Sequence, residues 1–513
     1  VKRQLDGQAL FLMVAIFFGG LVRFMPAALA RFPINDGGMF LSMAEELSSN
    51  GYRLPVETGY NGLNIPYAYP PLGLYLAAGL SDVGRLPVLD VFLWLPPFLS
   101  LLAIPAFFLL ARMQLPDNLH AALATLFFAL TPGSYDWHVM GGGVTRAPGM
   151  LFLLLALFFM MRLFRESEWK FLPAAILFCS LAVLSHPEVG LQTAGFSAVL
   201  WVFLGRTRRG ILNAVLVVIG VLLLTSPWWA TVIAQNGTAP FLSALQTGGH
   251  AAQTWLVALP GLFSTAEFIP LLPLLWLAGI IYVAKKKQWL LIVLVVFPVF
   301  VDPRSATSMA HITLSMIAAF GFMDAIPLLA KRLFPHMTGI SMQREGLLAA
   351  SVIAVLLLVE CGLANYRLIN TTLTAEERRA MTWLEGHLPS NQDFMILTGR
   401  TFSMSDPVQE WFPVFSGQHS QTTLQGLEWT LGSKFQARLL DLASLQSCST
   451  LECLDSFEQR TGLSSSYIWL KQVDPDNSHN RNLMNLASAI RSSSNYQLVY
   501  ESESILVFQK IGE

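Results

Sequence analysis

Hydrophobic runs recur from residue 8 to residue 366 of this 513-residue chain, and they constrain its fold more than any other feature. A soluble core of this size would alternate buried and polar faces. These runs stay apolar all round, which is the pattern of helices solvated by lipid. Hydrophobic residues make up 54% of the chain and charged ones 13%, and the charges crowd into the gaps between runs. The reading is a polytopic α-helical membrane protein. Its expected spans are 8–30, 88–111, 119–133, 148–164, 171–187, 189–204, 211–233, 269–284, 289–302, 306–330 and 346–366. No signal-peptide cleavage pattern follows the first run, so it is expected to remain as an anchor. The initial Val fits either an alternative bacterial start codon, which hints at a prokaryotic source, or a Met preceding the given sequence.

Positive charge orients the spans. With Lys2 and Arg3 cytoplasmic, fifteen Lys and Arg up to residue 366 fall on the cytoplasmic side. Five fall outside: Arg31, Arg53, Arg85, Arg146 and Arg304. That is the bias expected of cytoplasmic loops. Counting 70–80 as a further span would invert every later loop, and so short a stretch does not cross an apolar layer that needs roughly 20 residues. It is therefore laid flat on the outer surface. Eleven crossings put 371–513 outside the cytoplasmic membrane. This region is polar and has no run able to span. TAEERRAMTWLEGHL reads as a helix with a Thr cap and an acidic first turn. DFMILTG, SYIWL and the pair YQLVYES and SILVFQK read as strands, the last two as a hairpin. Helical stretches near 433–446, 450–460 and 481–491 alternate with them. The expectation is a transmembrane domain, 1–370, with 31–82 as a structured first external loop, and an extracytoplasmic α/β domain, 371–513.

Of the four cysteines, Cys179 and Cys361 fall inside spans and are expected to pack as small apolar residues. Cys448 and Cys453 lie in the external part, where a disulfide persists, and their spacing permits a local bridge without demanding one. The sequence has no HExxH, no CxxC pair, no P-loop and no GxGxxG, so nothing points to a zinc site or an ATP-driven pump. The GGG at 141–143 lacks the strand–turn–helix setting of a nucleotide loop. No basic tract suggests nucleic acid.

Chemistry is then sought among polar residues bordering the spans on the outer side. Asp36 directly follows the first span. It reads either as the cap of a helix over 38–49 or as a carboxylate placed to take a proton from an acceptor. The loop SYDWHVMGGGVTRAPG, 134–149, offers Asp136, His138 and Arg146 around a glycine run. SHPE sets His186 and Glu188 at a helix end, where burial without partners would be costly. DPRSA sets Asp302 and Arg304 at the mouth of a short span. Arg304 reads equally as a phosphate ligand or as a residue snorkelling to headgroups. Arg23 lies within the first span, reaching outward or towards a headgroup. The layout suits a substrate with a lipid tail and a surface phosphate.

Asp36 after the first span, the PYAYPPLGLYLAAGL element and the C-terminal α/β region together resemble the GT-C superfamily of membrane glycosyltransferases, in its protein O-mannosyltransferase and aminoarabinose transferase branch. The resemblance covers the layout of 1–366 and is specific at those two places. It implies an acidic catalytic residue early in the first external loop, matched by Asp36, and a second acid in the next outer loop, matched by Asp136. It implies a polyprenyl-phosphate sugar donor used at the external face. Arg146, Arg304, His138, His186, Glu188 and Tyr67 then become expected substrate contacts. The chain departs from the branch in having Asp-Gly-Gly where further polar residues follow the acid. Trp228 and Trp229 in SPWWA lack the Asp of a sequon-reading motif, which argues against protein N-glycosylation. The resulting expectation is inverting transfer of a sugar to a hydroxyl of a protein or glycan acceptor, with Asp36 as base and membrane lipids around it. A divalent ion would assist, though no ligand set identifies one. The other reading is a noncatalytic scaffold or subunit of this fold. Under it Trp411, Phe412, Phe415 and Trp429 of 406–429 would meet a membrane-protein partner, against the alternatives of core packing or covering the site mouth. A transporter fits less well, since few ionisable residues sit at mid-membrane depth.

Overall fold

The computed structural model describes residues 7–247, 258–262, 271–333, 342–472 and 478–511. Lys2, Arg3 and the first two residues of the 269–284 segment lie outside them. Apolar helices stand at each expected span. α1 is Gly7–Ala30, α2 Gly38–Ser49, α3 Leu72–Gly84, α4 Val88–Gln114, α5 Asn118–Ala129, α6 Gly143–Glu166, α7 Leu172–Ser185, α8 Pro187–Leu204 and α9 Arg208–Asn236. Beyond them come Leu271–Lys285, Trp289–Val301, Ala306–Phe320 and Met342–Ile369. Among the described residues six helices are long and apolar enough to cross a membrane: α1, α4, α6, α9, Ala306–Leu329 and Gly346–Ile369. The protein is an integral membrane protein.

The segments 119–133 and 289–302 become helices of 12 and 13 residues. At 1.5 Å rise per residue each is about 20 Å long, short of a roughly 30 Å apolar layer. α5 is buried along almost its whole length, wedged among α1, α4 and Ala306–Phe320. It is a core helix of the bundle, which is why its sequence is apolar without being long.

Arg23 neither snorkels nor reaches a headgroup. Its side chain is fully buried and donates to Ser100 Oγ of α4 at 3.0 Å, to Gly19 O at 2.9 Å and to the Ala129 carbonyl ending α5 at 2.7 Å. Its guanidinium lies 4.8 Å from the Tyr135 ring centre. It rivets three helices by satisfying a carbonyl that the end of α5 leaves open.

The loop after α1 folds as two helices. α2 and α3 pack on each other. Ser48 and Tyr52 hydroxyls both donate to Asp82 of α3, at 2.7 and 2.5 Å. Between them β1 (Glu57–Thr58) and β2 (Ile65–Pro66) form a short antiparallel ladder.

Near the C-terminus a five-stranded sheet has the order β4–β3–β5–β7–β6, with β3 Asp393–Leu397, β4 His419–Ser420, β5 Tyr467–Lys471, β6 Tyr496–Glu501 and β7 Ile505–Lys510. β3 runs parallel to β4 and β5; β5, β7 and β6 are antiparallel. Strand side chains alternate faces. Phe394, Ile396, Tyr467, Trp469, Ile505 and Val507 pack with the helices Ala375–His387 and Pro407–Ser416, and with Phe32 and Leu41 of the first loop. Met395, Leu397, Ile468, Leu470, Leu506 and Phe508 pack with Phe435–Leu445, Leu451–Thr461 and Ser478–Ser492. The expected strands and helices of this region are all present, with Thr374 in a capping box. Cys448 and Cys453 are joined. An isolated antiparallel bridge, Ile34–Thr372, joins the loop after α1 to the stretch before Ala375–His387.

Candidate active site

Asp36 does not cap α2. The cap position is Gly37, without a side-chain bond. The carboxylate turns to the loop before α6: Oδ1 accepts from the Gly142 N–H at 2.9 Å, and Arg146 Nη2 donates to Oδ1 at 2.8 Å and to Oδ2 at 2.6 Å. Both partners are largely buried, with side chains 20% and 13% exposed. Glycine makes this approach physically available. Gly37 sits at φ 124° against Gly141, and a Cβ on Gly141 or Gly142 would collide with Asp36 itself. The GGG run is a close-packing surface.

Arg146 is in the first turn of α6, and its guanidinium lies 4.4 Å from the Trp137 ring centre. Its Nε is buried without a partner. Beside it Thr145 Oγ1 lies 3.4 Å from the Tyr69 hydroxyl. The Tyr69 ring meets His186 edge-on at 5.9 Å and Trp429 at 6.0 Å. His186 opens α8, and its Nδ1 is buried without a partner. Two residues on, Glu188 pairs with Arg304 Nε at 3.2 Å. Arg304 is held in the turn before Ala306–Phe320, where Asp302 Oδ2 accepts from Ser305 N and Oγ at 3.0 and 2.6 Å. Gln192 of α8 ties that turn down through the Pro298 and Asp302 carbonyls.

The loops thus bring Asp36, Arg146, His186, Glu188 and Arg304 into one electrostatic neighbourhood. The three remaining expected site residues are Tyr67, His138 and Asp136. Tyr67 is 1% exposed and donates to the Met43 carbonyl at 2.6 Å, so it braces α2; Tyr69, two residues on, faces the site. His138 is buried with Nδ1 on the Ser134 carbonyl. Burial, then the charge of Arg146, pushes it down to about 3, so it is neutral. Asp136 Oδ1 accepts from its neighbour's amide, Trp137 N, at 2.7 Å, a local turn bond.

A further carboxyl near Asp36 comes from the C-terminal region. Glu410 is 2% exposed, and its Oε1 accepts from Gly37 N at 3.2 Å and Met39 N at 3.1 Å. Burial, then the Asp36 charge, pushes it up to about 8 despite those two bonds. Glu428 is half-buried near Arg304 and Glu188, and its desolvation raises it. Neither acid was singled out from sequence. The available signal was a Glu set in an aromatic helix start, DPVQEWF, where a solvated face would not place Trp and Phe beside it. Trp411 and Phe412 of that segment are core, and Trp411 Nε1 donates to the Asn35 carbonyl at 2.9 Å. Trp429 packs over Tyr69. Among the described residues no three of His, Cys, Asp and Glu converge as a metal ion requires, and the Asp36 oxygens are taken by N–H donors. The residues present do not fit a divalent ion.

No protein-family model and no curated protein matches the sequence. Solved structures do match in fold. The oligosaccharyltransferase AglB from Archaeoglobus fulgidus, in complex with an inhibitory peptide and a dolichol-phosphate, aligns with TM-score 0.55 at 12% identity over 90% of this chain and 69% of that one. The arabinofuranosyltransferase AftD from Mycobacteria aligns with TM-score 0.54 at 13% identity, over 98% of this chain and 40% of its own. ArnT from Cupriavidus metallidurans bound to undecaprenyl phosphate aligns with TM-score 0.50 at 16% identity over 97% of both chains. Over nearly its whole length the chain therefore shares the overall fold of these structures, the GT-C fold.

Proposed function

We propose that this protein transfers a sugar from a polyprenyl-phosphate donor to an acceptor hydroxyl at the outer membrane face, with inversion, and that Asp36 is the general base. The observation that carries the reading is the pairing of Asp36 with Arg146 at the head of α6, beside the Glu188–Arg304 pair. A base and two phosphate-binding forks stand together at the ends of apolar helices, where a lipid tail and its phosphate would meet. The fold and the lipid phosphates bound by AglB and ArnT support the donor class.

In this reaction the acceptor oxygen attacks the anomeric carbon and its proton passes to Asp36. The bond from that carbon to the donor phosphate oxygen breaks, and the lipid phosphate leaves with the electron pair. Arg146 and Arg304 stabilise the charge gathering on the phosphate. Arg146 Nη2 donates to both Asp36 oxygens, and this gives the sequence of events a physical logic. An incoming phosphate competes for the guanidinium, and its binding frees the carboxylate to accept a proton. Residues 371–513 form an extracytoplasmic domain over the site in this reading, and 1–370 the transmembrane domain.

The test measures transfer from radiolabelled polyprenyl-phosphate sugars and equilibrium binding of undecaprenyl phosphate, with wild type and Asp36→Asn. General bases contribute about 100- to 10,000-fold in rate. The expected result is a loss of that size with undecaprenyl phosphate binding kept or tightened, because Arg146 is released. Turnover within about tenfold of wild type places the base elsewhere. A wild type that binds the lipid phosphate and transfers from no donor returns the noncatalytic scaffold.

A further inference from the structure

Asp36 lies in a short stretch held from one direction by the C-terminal region. Glu410 Oε1 accepts from Gly37 N and Met39 N, the residues that follow Asp36. Trp411 Nε1 donates to the Asn35 carbonyl, which precedes it. The Tyr60 hydroxyl donates to the Glu410 carbonyl at 2.7 Å. Asn61 exchanges two bonds with Ser420, at 2.6 and 2.8 Å. No side chain at position 38 would fit, because a Cβ there would strike the Glu410 carbonyl. The contact is therefore built from both strands of chain, and α2 starts under it.

We propose that Glu410 is a positioning residue for Asp36: carried on Pro407–Ser416, it grips the backbone on the far side of Asp36 and so sets the aim of the carboxylate at Gly142 and Arg146. The proposal rests on Asp36 acting as the base. Three observations separate it from ordinary packing. Glu410 Oε2 is buried without a partner, so the carboxyl has not been placed to satisfy both its oxygens. A Gln or Ser would serve a purely structural clamp without the penalty of a titratable group in a closed space. Among the charged and titratable groups that act on it are Asp36, Glu428 and Tyr60. A second negative charge there would oppose Asp36. The carboxyl accordingly holds its proton to about pH 8, and its carbonyl oxygen takes the two N–H bonds in the neutral form. The clamp is thereby linked to pH. When the segment opens, Glu410 is solvated and titrates at its ordinary value near 4.5. Opening then becomes easier as pH rises from 4.5 towards 8, by at most about tenfold per pH unit for one proton, and levels off above 8.

Hydrogen exchange of peptides spanning 35–46, corrected for the intrinsic base-catalysed rate, tests this in the full chain in detergent at pH 6 to 9. Wild type should lose protection several-fold per unit up to about 8 and then plateau. Glu410→Gln, which mimics the neutral carboxyl, should stay flat and protected. Glu410→Ala should be unprotected at every pH. The same pH dependence in wild type and Glu410→Gln, or full protection in Glu410→Ala, overturns the proposal. Undecaprenyl phosphate binding to wild type at pH 7 is read in parallel. Its absence sinks the donor reading and leaves the exchange result standing on its own.

Discussion

The pairing of Asp36 with Arg146 decides what single substitutions mean. Arg146 is nearly buried, so Arg146→Ala strands a carboxylate against one N–H. Breaking such a pair from one side costs about 3–5 kcal/mol, and the melting temperature should fall clearly. Arg304 is 48% exposed and its partner Glu188 partly so. Exposed pairs contribute about 0–1 kcal/mol, so Arg304→Ala should melt close to wild type. Both variants should weaken undecaprenyl phosphate binding, by about tenfold or more for each lost charge-assisted contact. Equilibrium binding beside thermal melting separates the two effects. Unchanged binding in both singles and the double would leave these arginines as structural partners of Asp36 and Glu188 only. From sequence the residue types were legible, since each stood isolated at a span end. Their pairing was not, because 110 positions separate Asp36 from Arg146 and no local pattern encodes the turn that joins them.

At the scale of elements the helix Ala375–His387 shows how one residue serves two layers. Thr374 and Glu377 form a reciprocal capping box, with Glu377 N on Thr374 Oγ1 at 3.2 Å and Thr374 N on Glu377 Oε2 at 2.8 Å. Glu377 Oε1 also takes Lys471 Nζ of β5 at 2.6 Å. Thr374→Ala should therefore cost about 1 kcal/mol, the usual value of a cap. Glu377→Ala removes the box and strands a partly buried lysine, so it should cost about 3 kcal/mol or more. Unfolding of the full chain monitored for each variant checks the order. Equal losses would mean that the lysine contact contributes nothing. The cap was legible because TAEE carries its own geometry within one turn. The lysine was not, since it arrives from a strand 94 residues on. The same contrast holds for α5: its apolar run was legible in sequence, and its burial among α1, α4 and Ala306–Phe320 was not.

For the whole molecule the charge bias predicts one arrangement: α3 and the sheet region on the extracytoplasmic side, with the N-terminus cytoplasmic. Val83 is 88% exposed at the end of α3, and Ser390 is exposed beside the sheet. Cys179 and Cys361 are buried, and Cys448 and Cys453 are bridged, so the background labelling is low. Val83→Cys and Ser390→Cys should both react with a membrane-impermeant maleimide added outside intact cells. Reaction of Val83→Cys only after permeabilisation would invert the arrangement beyond α2.

What the sequence by itself determined is whatever is written in composition and short-range periodicity. Lipid-facing helices, the strands of the sheet and the cap of its first helix all follow from residues a few positions apart, where propensity and hydrophobic spacing act directly. The acid at the end of α1 and the arginine near 146 were visible as charges in places where charge is costly. What tertiary structure alone decided is which charges meet. Asp36 faces Arg146 because glycines 37, 141 and 142 let two backbones touch. Glu410 comes near Asp36 because the sheet region docks helix Pro407–Ser416 onto the first loop, burying Trp411 and Phe412 with Phe32. Hydrophobic burial across nearly 400 residues of chain brings that carboxyl in, and no one-dimensional pattern records a contact made by docking.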